Sequence, residues 1–237
     1  MTLNLKGRKS VALLLDPDSS YGENLKDILS IAESSGTDFI FVGGSLTFED
    51  TAALITRVKG ITSIPVILFP GNLLQLNDKA DGILLLSLIS GRNPELLIGN
   101  HVIAAPYLSR IKEKVIPVGY ILINCGSRTS VEYMSQTDSI PSSKNDIAVA
   151  TAMAGEMLGL RAIYLEAGSG AEYHIPVDMV KRVREKIDVS LIVGGGIRSA
   201  GSAIELFNAG ADMLVVGNGC ENKMSLLTEI CIARDSL

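Results

Sequence analysis

The chain has no tryptophan, only 2 histidines and 3 cysteines, and just 5% aromatic residues among its 237 positions. His101 and His174 stand too far apart in sequence to suggest a histidine-built metal centre. Cys125, Cys220 and Cys231 are odd in number, and their spacing matches neither a zinc site nor a disulfide framework, so they read as ordinary thiols. No block of lysine and arginine occurs and the formal charge is -5, which excludes a general nucleic-acid binder because nothing neutralises phosphates in a row. Long apolar runs are also missing. The best, Ile83–Ile89, is strand-sized and contains Ser87, well short of the roughly 20 residues a spanning helix needs. Lys6, Arg8 and Lys9 precede Val11–Leu15, but that run is too short for a signal peptide and Asp16 ends it. The expectation is a cytoplasmic protein with no membrane span.

What is present is a 47% hydrophobic, 20% charged chain, enough for a sizeable core and read as one domain over residues 1–237. Short apolar runs recur at Val11–Leu15, Phe39–Val42, Val66–Phe69, Ile83–Leu88, Val115–Ile123, Ala162–Leu165, Leu191–Val193 and Met213–Val216. Near-continuous apolarity without alternation marks strands covered on both faces, hence a parallel sheet with helical crossovers. Asn24–Ser34, Thr51–Lys59, Ile147–Leu158, Val177–Lys186, Ala200–Asn208 and Lys223–Ala233 carry helical periodicity. Together they predict a (β/α)₈ TIM barrel of the α/β class. Gly71–Asp81 is too short for a crossover helix with its loops, so the third helix is expected to be missing or replaced by a non-helical segment. Cys125–Asn145 is polar and broken by Pro141; it reads either as a lid on the catalytic face or as a disordered surface loop.

Chemistry gathers at the strand ends. Tyr164-Leu165-Glu166-Ala167-Gly168-Ser169-Gly170 delivers a phenol and a carboxylate into a loop whose glycines leave backbone N–H groups open to an anion. Tyr164 and Glu166 share one strand face, and Glu166 is a candidate general base or, alternatively, a helix-capping carboxylate. Gly194-Gly195-Gly196 and Gly217-Asn218 follow the last two strands, where barrels commonly bind phosphate. Arg198 fits either that phosphate or a surface ion pair. Asp16-Pro17-Asp18 ends the first strand; its oxygens suit a hard cation such as Mg²⁺, though Asp-Pro is also turn chemistry. Gly43-Gly44-Ser45 ends the second, either as a turn or as part of the same site. Leu96–Leu108, with Ile98, Val102, Ile103 and Tyr107, reads as the lining of an apolar trough or, preferably, as core.

Leu15-Asp16-Pro17-Asp18, Val42-Gly43-Gly44-Ser45, Phe69-Pro70-Gly71, Tyr164–Gly170, Gly194–Arg198 and Gly217-Asn218, in this order, resemble the geranylgeranylglyceryl phosphate synthases and their heptaprenylglyceryl relatives. The Glu-Ala-Gly-Ser-Gly form is similar to the branch with both bacterial and archaeal members. The resemblance implies a barrel whose third helix is replaced, and an enzyme moving a geranylgeranyl or similar group from a polyprenyl diphosphate to the C3 hydroxyl of sn-glycerol 1-phosphate, an ether-lipid precursor. It assigns Mg²⁺ to Asp16 and Ser45. It assigns the glycerol phosphate to Tyr164, Leu165, Glu166, Ala167, Gly168, Ser169, Gly170, Gly195, Gly196, Gly217 and Asn218, with Glu166 as base and Tyr164 placing the substrate. A homo-oligomer, dimer or hexamer, is likewise implied. Two positions depart: Leu14 stands where one branch has lysine, and Cys125 where proline is usual. The rival readings are a phosphosugar isomerase, which calls for a second acid–base residue on the opposite rim, and a barrel that binds a phosphorylated ligand without chemistry.

Overall fold

Side chains alternate between the faces of a strand, so a strand enclosed on both sides is apolar at nearly every position. Each of the eight expected runs meets that condition and is a strand with slightly shifted ends: β1 (Ser10–Leu15), β2 (Phe39–Val42), β3 (Val66–Leu68), β4 (Gly82–Leu88), β5 (Val115–Asn124), β7 (Ala162–Glu166), β8 (Ser190–Gly194) and β9 (Met213–Val216). The structure, a computed structural model, describes residues 5, 7–19, 21–22, 24–217 and 224–237. All strand pairs are parallel, and the β1–β9 and β4–β5 pairings close the sheet into a barrel. A two-residue β6 (Ile140–Pro141) lies outside it, paired with the end of β5. One parity of side chains, including Ala12, Phe41, Ile67, Leu84, Tyr120, Tyr164, Ile192 and Met213, fills the barrel interior. The other, with Val11, Leu13, Ile40, Val66, Ile121, Leu165 and Val193, packs under the helices.

The helices are α1 (Asn24–Ser34), α2 (Thr51–Lys59), α3 (Asn100–Leu108), α4 (Ser130–Ser135), α5 (Asn145–Met157), α6 (Val177–Arg184), α7 (Ala200–Asn208) and α8 (Ser225–Asp235). In α2, Asp50 caps the start by accepting from the Ala52 N–H at 2.8 Å, and Leu54, Ile55 and Val58 form the buried stripe. Burying each such side chain contributes roughly 1.5–3 kcal/mol. The final helix was expected from Lys223, which lies outside the described residues. Among the described residues no helix is long and apolar enough to cross a membrane.

The base of the barrel is locked by a repeated aspartate. Asp38, Asp81 and Asp212 each stand one residue before a strand, and each accepts from an amide of the preceding neighbour strand: Val11 at 2.9 Å, Val66 at 2.9 Å and Leu191 at 2.8 Å. The backbone N–H of each aspartate returns a bond to the carbonyl of the same residue, at 3.0, 2.8 and 2.8 Å. Basic side chains complete each lock: Arg8 and Arg234 at Asp38, Lys59 at Asp81, Arg184 at Asp212. The corresponding position before β7 is Arg161, whose N–H donates to the carbonyl of Pro117. Proline has no N–H to return, so a carboxylate there would lack its donor.

Two irregular connections matter at the opposite rim. Between β3 and β4 the crossover helix is absent, as its length predicted, and only a 3₁₀ turn at Leu73–Gln75 remains. Gln75 substitutes for it. The side chain is buried, with Nε2 donating to the Gly44 carbonyl at 2.9 Å and Oε1 accepting from the Gly71 N–H at 3.0 Å. The segment after β5 is not a disordered loop: a capping box of Thr129 and Glu132 opens α4, and Glu132 also accepts from the Ser139 hydroxyl at 2.5 Å.

The preference for core at Leu96–Leu108 is wrong. Ile98, Val102 and Ile103 are 60–66% exposed, and Tyr107 is 38% exposed. Ala104 and Leu108, one turn apart, form the buried stripe instead, and only Leu96 packs against the interior cluster. An apolar helix has more greasy positions than one buried stripe can use.

Replacing Gln75 with Leu leaves the Gly44 carbonyl and Gly71 amide without that partner and is expected to cost about 2–4 kcal/mol. Urea unfolding checks this; a loss below about 0.5 kcal/mol, the level of a neutral surface change, rejects the clamp.

Candidate active site

β7 and β5 are hydrogen-bonded neighbours, and their register sets Tyr164 directly beside Tyr120. Both phenols point into the barrel and act as donors on the carboxylate of Glu166, two residues further along β7. The Gly168 N–H donates to Glu166 Oε1 at 2.6 Å. Glu166 is 6% exposed, so burial pushes its pKa up, and the Gly168 N–H and the two phenols pull against that shift. Burial first and the Glu166 charge second raise both phenols well above the usual tyrosine value, so each remains a proton donor. Cys125 lies near enough that burial and the Glu166 charge push its thiol up to about 12, which makes it unreactive and fits the ordinary-thiol reading. His101 hydrogen-bonds Ser87 and His174 the Ile175 carbonyl; neither is among the groups acting on Glu166.

The end of β8 wraps this carboxylate in bare backbone. Gly195 has φ +84°, and a methyl there would stand 2.8 Å from Glu166 Oε1 and from both the N and O of Gly168. A methyl at Gly194 would collide with the Tyr164 hydroxyl. The Ala167 N–H donates to the Gly194 carbonyl at 2.9 Å, joining the two loops. Of the β7 run, Tyr164 and Glu166 face inward. Leu165 and Ala167 pack in the outer core, so only their backbone can meet a ligand. Gly168 is buried beneath Thr129, and Ser169 and Gly170 form the exposed tip. Gly196 approaches the Tyr173 backbone, and Gly217 lies over Leu14. Asn218 lies outside the described residues. Arg198 donates to the Ala171 carbonyl at 2.9 Å and tethers the β7 loop, and among the described residues no ion pair to it is seen.

The other half of the rim holds Asp16 and Ser45. Asp16 continues the inward parity of β1, and a methyl on Gly44 would sit 3.3 Å from each of its carboxylate oxygens. The two aspartates of Asp16-Pro17-Asp18 are not equivalent. Asp18 accepts from the Phe48 N–H at 2.8 Å and the Glu49 N–H at 2.9 Å and so holds the β2 loop. Gly71 packs against Gly44 and Ser45, with Gln75 beneath. A cation between Asp16 and Ser45 would take one carboxylate and one hydroxyl and leave its other positions to water and phosphate oxygens, which fits Mg²⁺. Phe69 bridges the halves, stacked on Tyr164 at 5.5 Å and edge-on to Tyr120 at 5.9 Å.

A model described as the PcrB family matches residues 5–233. The chain belongs to the PcrB family. It is 47% identical over 227 residues to a relative from Spirosoma linguale named geranylgeranylglyceryl phosphate synthase, covering 95% of this chain and 91% of that one. A relative of the same name from Korarchaeum cryptofilum is 38% identical, with 100% and 99% covered. The crystal structure of the (S)-3-O-geranylgeranylglyceryl phosphate synthase from Thermoplasma acidophilum in complex with substrate sn-glycerol-1-phosphate aligns with a TM-score of 0.92 at 34% identity, all of both chains covered. An N-acetylmannosamine-6-phosphate 2-epimerase from Clostridium perfringens, at 12% identity and TM-score 0.59 with 93% of each chain covered, shares the barrel fold alone. The resemblance read from the strand-end motifs therefore holds for this PcrB-family chain, on the bacterial and archaeal sides alike.

Tyr120 and Gln75 are the site residues that sequence reasoning missed. Tyr120 sits inside the apolar run of β5, where its parity with Val118 and Leu122 was the available signal. No motif marks Gln75.

Because folding raises the Glu166 pKa, the folded chain holds this proton to higher pH than the unfolded one. That contribution is fully present below the ordinary carboxylate range and is lost as pH climbs to the raised folded value. Glu166→Gln is expected to flatten this part of the stability–pH curve and to stabilise the chain relative to wild type at its alkaline end. Thermal melts across pH 4 to 9 check it; parallel curves reject it.

Proposed function

We propose that this chain is a prenyltransferase that moves a geranylgeranyl or similar polyprenyl group from its diphosphate to the C3 hydroxyl of sn-glycerol 1-phosphate. The observation that carries the reading is the buried Glu166 carboxylate, held between two phenols beside the glycine backbone of Gly168 and Gly194–Gly196. The names of the relatives and the sn-glycerol-1-phosphate bound to the Thermoplasma acidophilum protein support it.

The glycerol phosphate would be anchored by backbone N–H groups at Gly168–Gly170 and Gly195–Gly196, together with Gly217 and Asn218. Anchoring one substrate converts an encounter into an oriented reaction. The glycerol C3 oxygen then forms its bond to C1 of the prenyl chain, while the bond from C1 to the diphosphate oxygen breaks and the diphosphate departs with the electron pair. Glu166 takes the hydroxyl proton, and Tyr164 helps to place the glycerol. Asp16 and Ser45 would hold Mg²⁺, which supplies positive charge toward the departing diphosphate. Leu14, in place of a lysine, leaves that charge to other groups. The exposed stripe of Ile98, Val102 and Ile103 on and just before α3 supports a homo-oligomer, dimer or hexamer.

Purified protein with Mg²⁺, sn-glycerol 1-phosphate and polyprenyl diphosphates of graded length is expected to form the ether, and sn-glycerol 3-phosphate is expected to be a poor acceptor. Glu166→Gln should lower kcat by about 10²–10⁴-fold with little change in KM for glycerol phosphate. Chelation of Mg²⁺ should remove turnover reversibly. Product from neither acceptor rejects the reading; near-normal turnover by Glu166→Gln rejects the base.

A further inference from the structure

A carboxylate can accept about four hydrogen bonds, and one deprived of water stays ionised only when enough donors replace it. Glu166 is buried inside the barrel and accepts the Gly168 N–H at 2.6 Å, and the phenols of Tyr164 and Tyr120, which point into the same interior, act on it as donors. The two phenols come from neighbouring strands at paired register positions, with ring centroids 5.2 Å apart and planes at 78°. Phe69 stacks on one ring and meets the edge of the other, so neither can swing away. Tyr164 opens the run, from β7 into its loop, that would meet glycerol phosphate. Tyr120 lies on β5, outside every strand-end motif.

We propose that Tyr120 is a positioning residue, whose phenol clamps the Glu166 carboxylate from the β5 side in one orientation, as an anion able to accept the glycerol proton. This rests on Glu166 being the base of the reaction proposed above. The groups around Glu166 can be named from each side. Tyr120 and the neutral Cys125 thiol come from β5 and its loop, Tyr164 from β7, and the adjacent end of β8 offers only Gly194–Gly196. Removing the Tyr120 hydroxyl deletes one donor to the anion and leaves the ring, so Glu166 holds its proton to higher pH.

The test titrates Glu166 in substrate-free protein carrying ¹³C-carboxyl glutamate, the Glu166 signal being assigned by its loss in Glu166→Gln. Tyr120→Phe should move the midpoint upward by about one pH unit or more. The acidic limb of kcat should move by a similar amount, with KM for sn-glycerol 1-phosphate changed less than about threefold. Incorporation of 3-fluorotyrosine at position 120, a stronger donor of the same shape, should move the midpoint down, and it keeps the test open if Tyr120→Phe folds poorly. An unmoved midpoint with either replacement overturns the proposal, including the case where Tyr120→Phe merely melts earlier. Failure of the prenyl-transfer reading is a separate result: wild-type protein would turn over no donor, while the titration would still decide what Tyr120 does.

Discussion

The active end of the barrel is arranged around one buried carboxylate, that of Glu166. A carboxylate enclosed in a parallel barrel has no water to satisfy it, and the chain answers with donors drawn from two strands and a loop: Tyr120, Tyr164 and the Gly168 amide. Each carries a further constraint. The phenols need an aromatic packing partner, which Phe69 supplies from the opposite half of the rim. The amide needs a loop that turns back on its own strand, and that loop needs Gly194 and Gly195 to leave it room. The glycines that open an anion cradle thus also make space for the base.

The barrel ends are built by opposite rules. At the base, aspartates lock strand to strand with reciprocal bonds and salt links, and the backbone amides there are consumed internally. At the rim, glycine backbone is left bare and side-chain clamps replace regular structure. Gln75 does this most directly, holding the β2 and β3 loops where a helix would otherwise have stood. Asp18 and Arg198 perform the same service for the β2 and β7 loops. The residues placed at Mg²⁺ by the proposed function, Asp16 and Ser45, rest on this framework.

The strands were legible because burial on both faces demands continuous apolar runs, and the absent third helix because Gly71–Asp81 is too short to hold one. The glycine loops were legible for a similar reason, since few other residues tolerate that geometry. What escaped was anything decided by the register between strands or by a single long side chain. Tyr120 is one apolar-looking position among ten in β5, and only the register with Tyr164 reveals its partner. Gln75 looks like any loop polar residue until its two bonds are seen. The stripe on α3 was misjudged because an apolar helix offers two faces and the sequence does not say which one the barrel takes.

The aspartate locks also say something about how such a barrel is put together. The same bond pair recurs before β2, β4 and β9, at well-separated places around the ring, and lapses before β7, where Pro117 in the neighbouring strand removes the donor. Each lock joins one strand to the next and draws its cation from elsewhere in the circle: Arg234 of α8 at Asp38, Lys59 of α2 at Asp81 and Arg184 of α6 at Asp212. Each such joint is therefore a three-way knot, in which the carboxylate comes from one strand, the amide from its neighbour and the cation from the last turn of a helix belonging to a third unit.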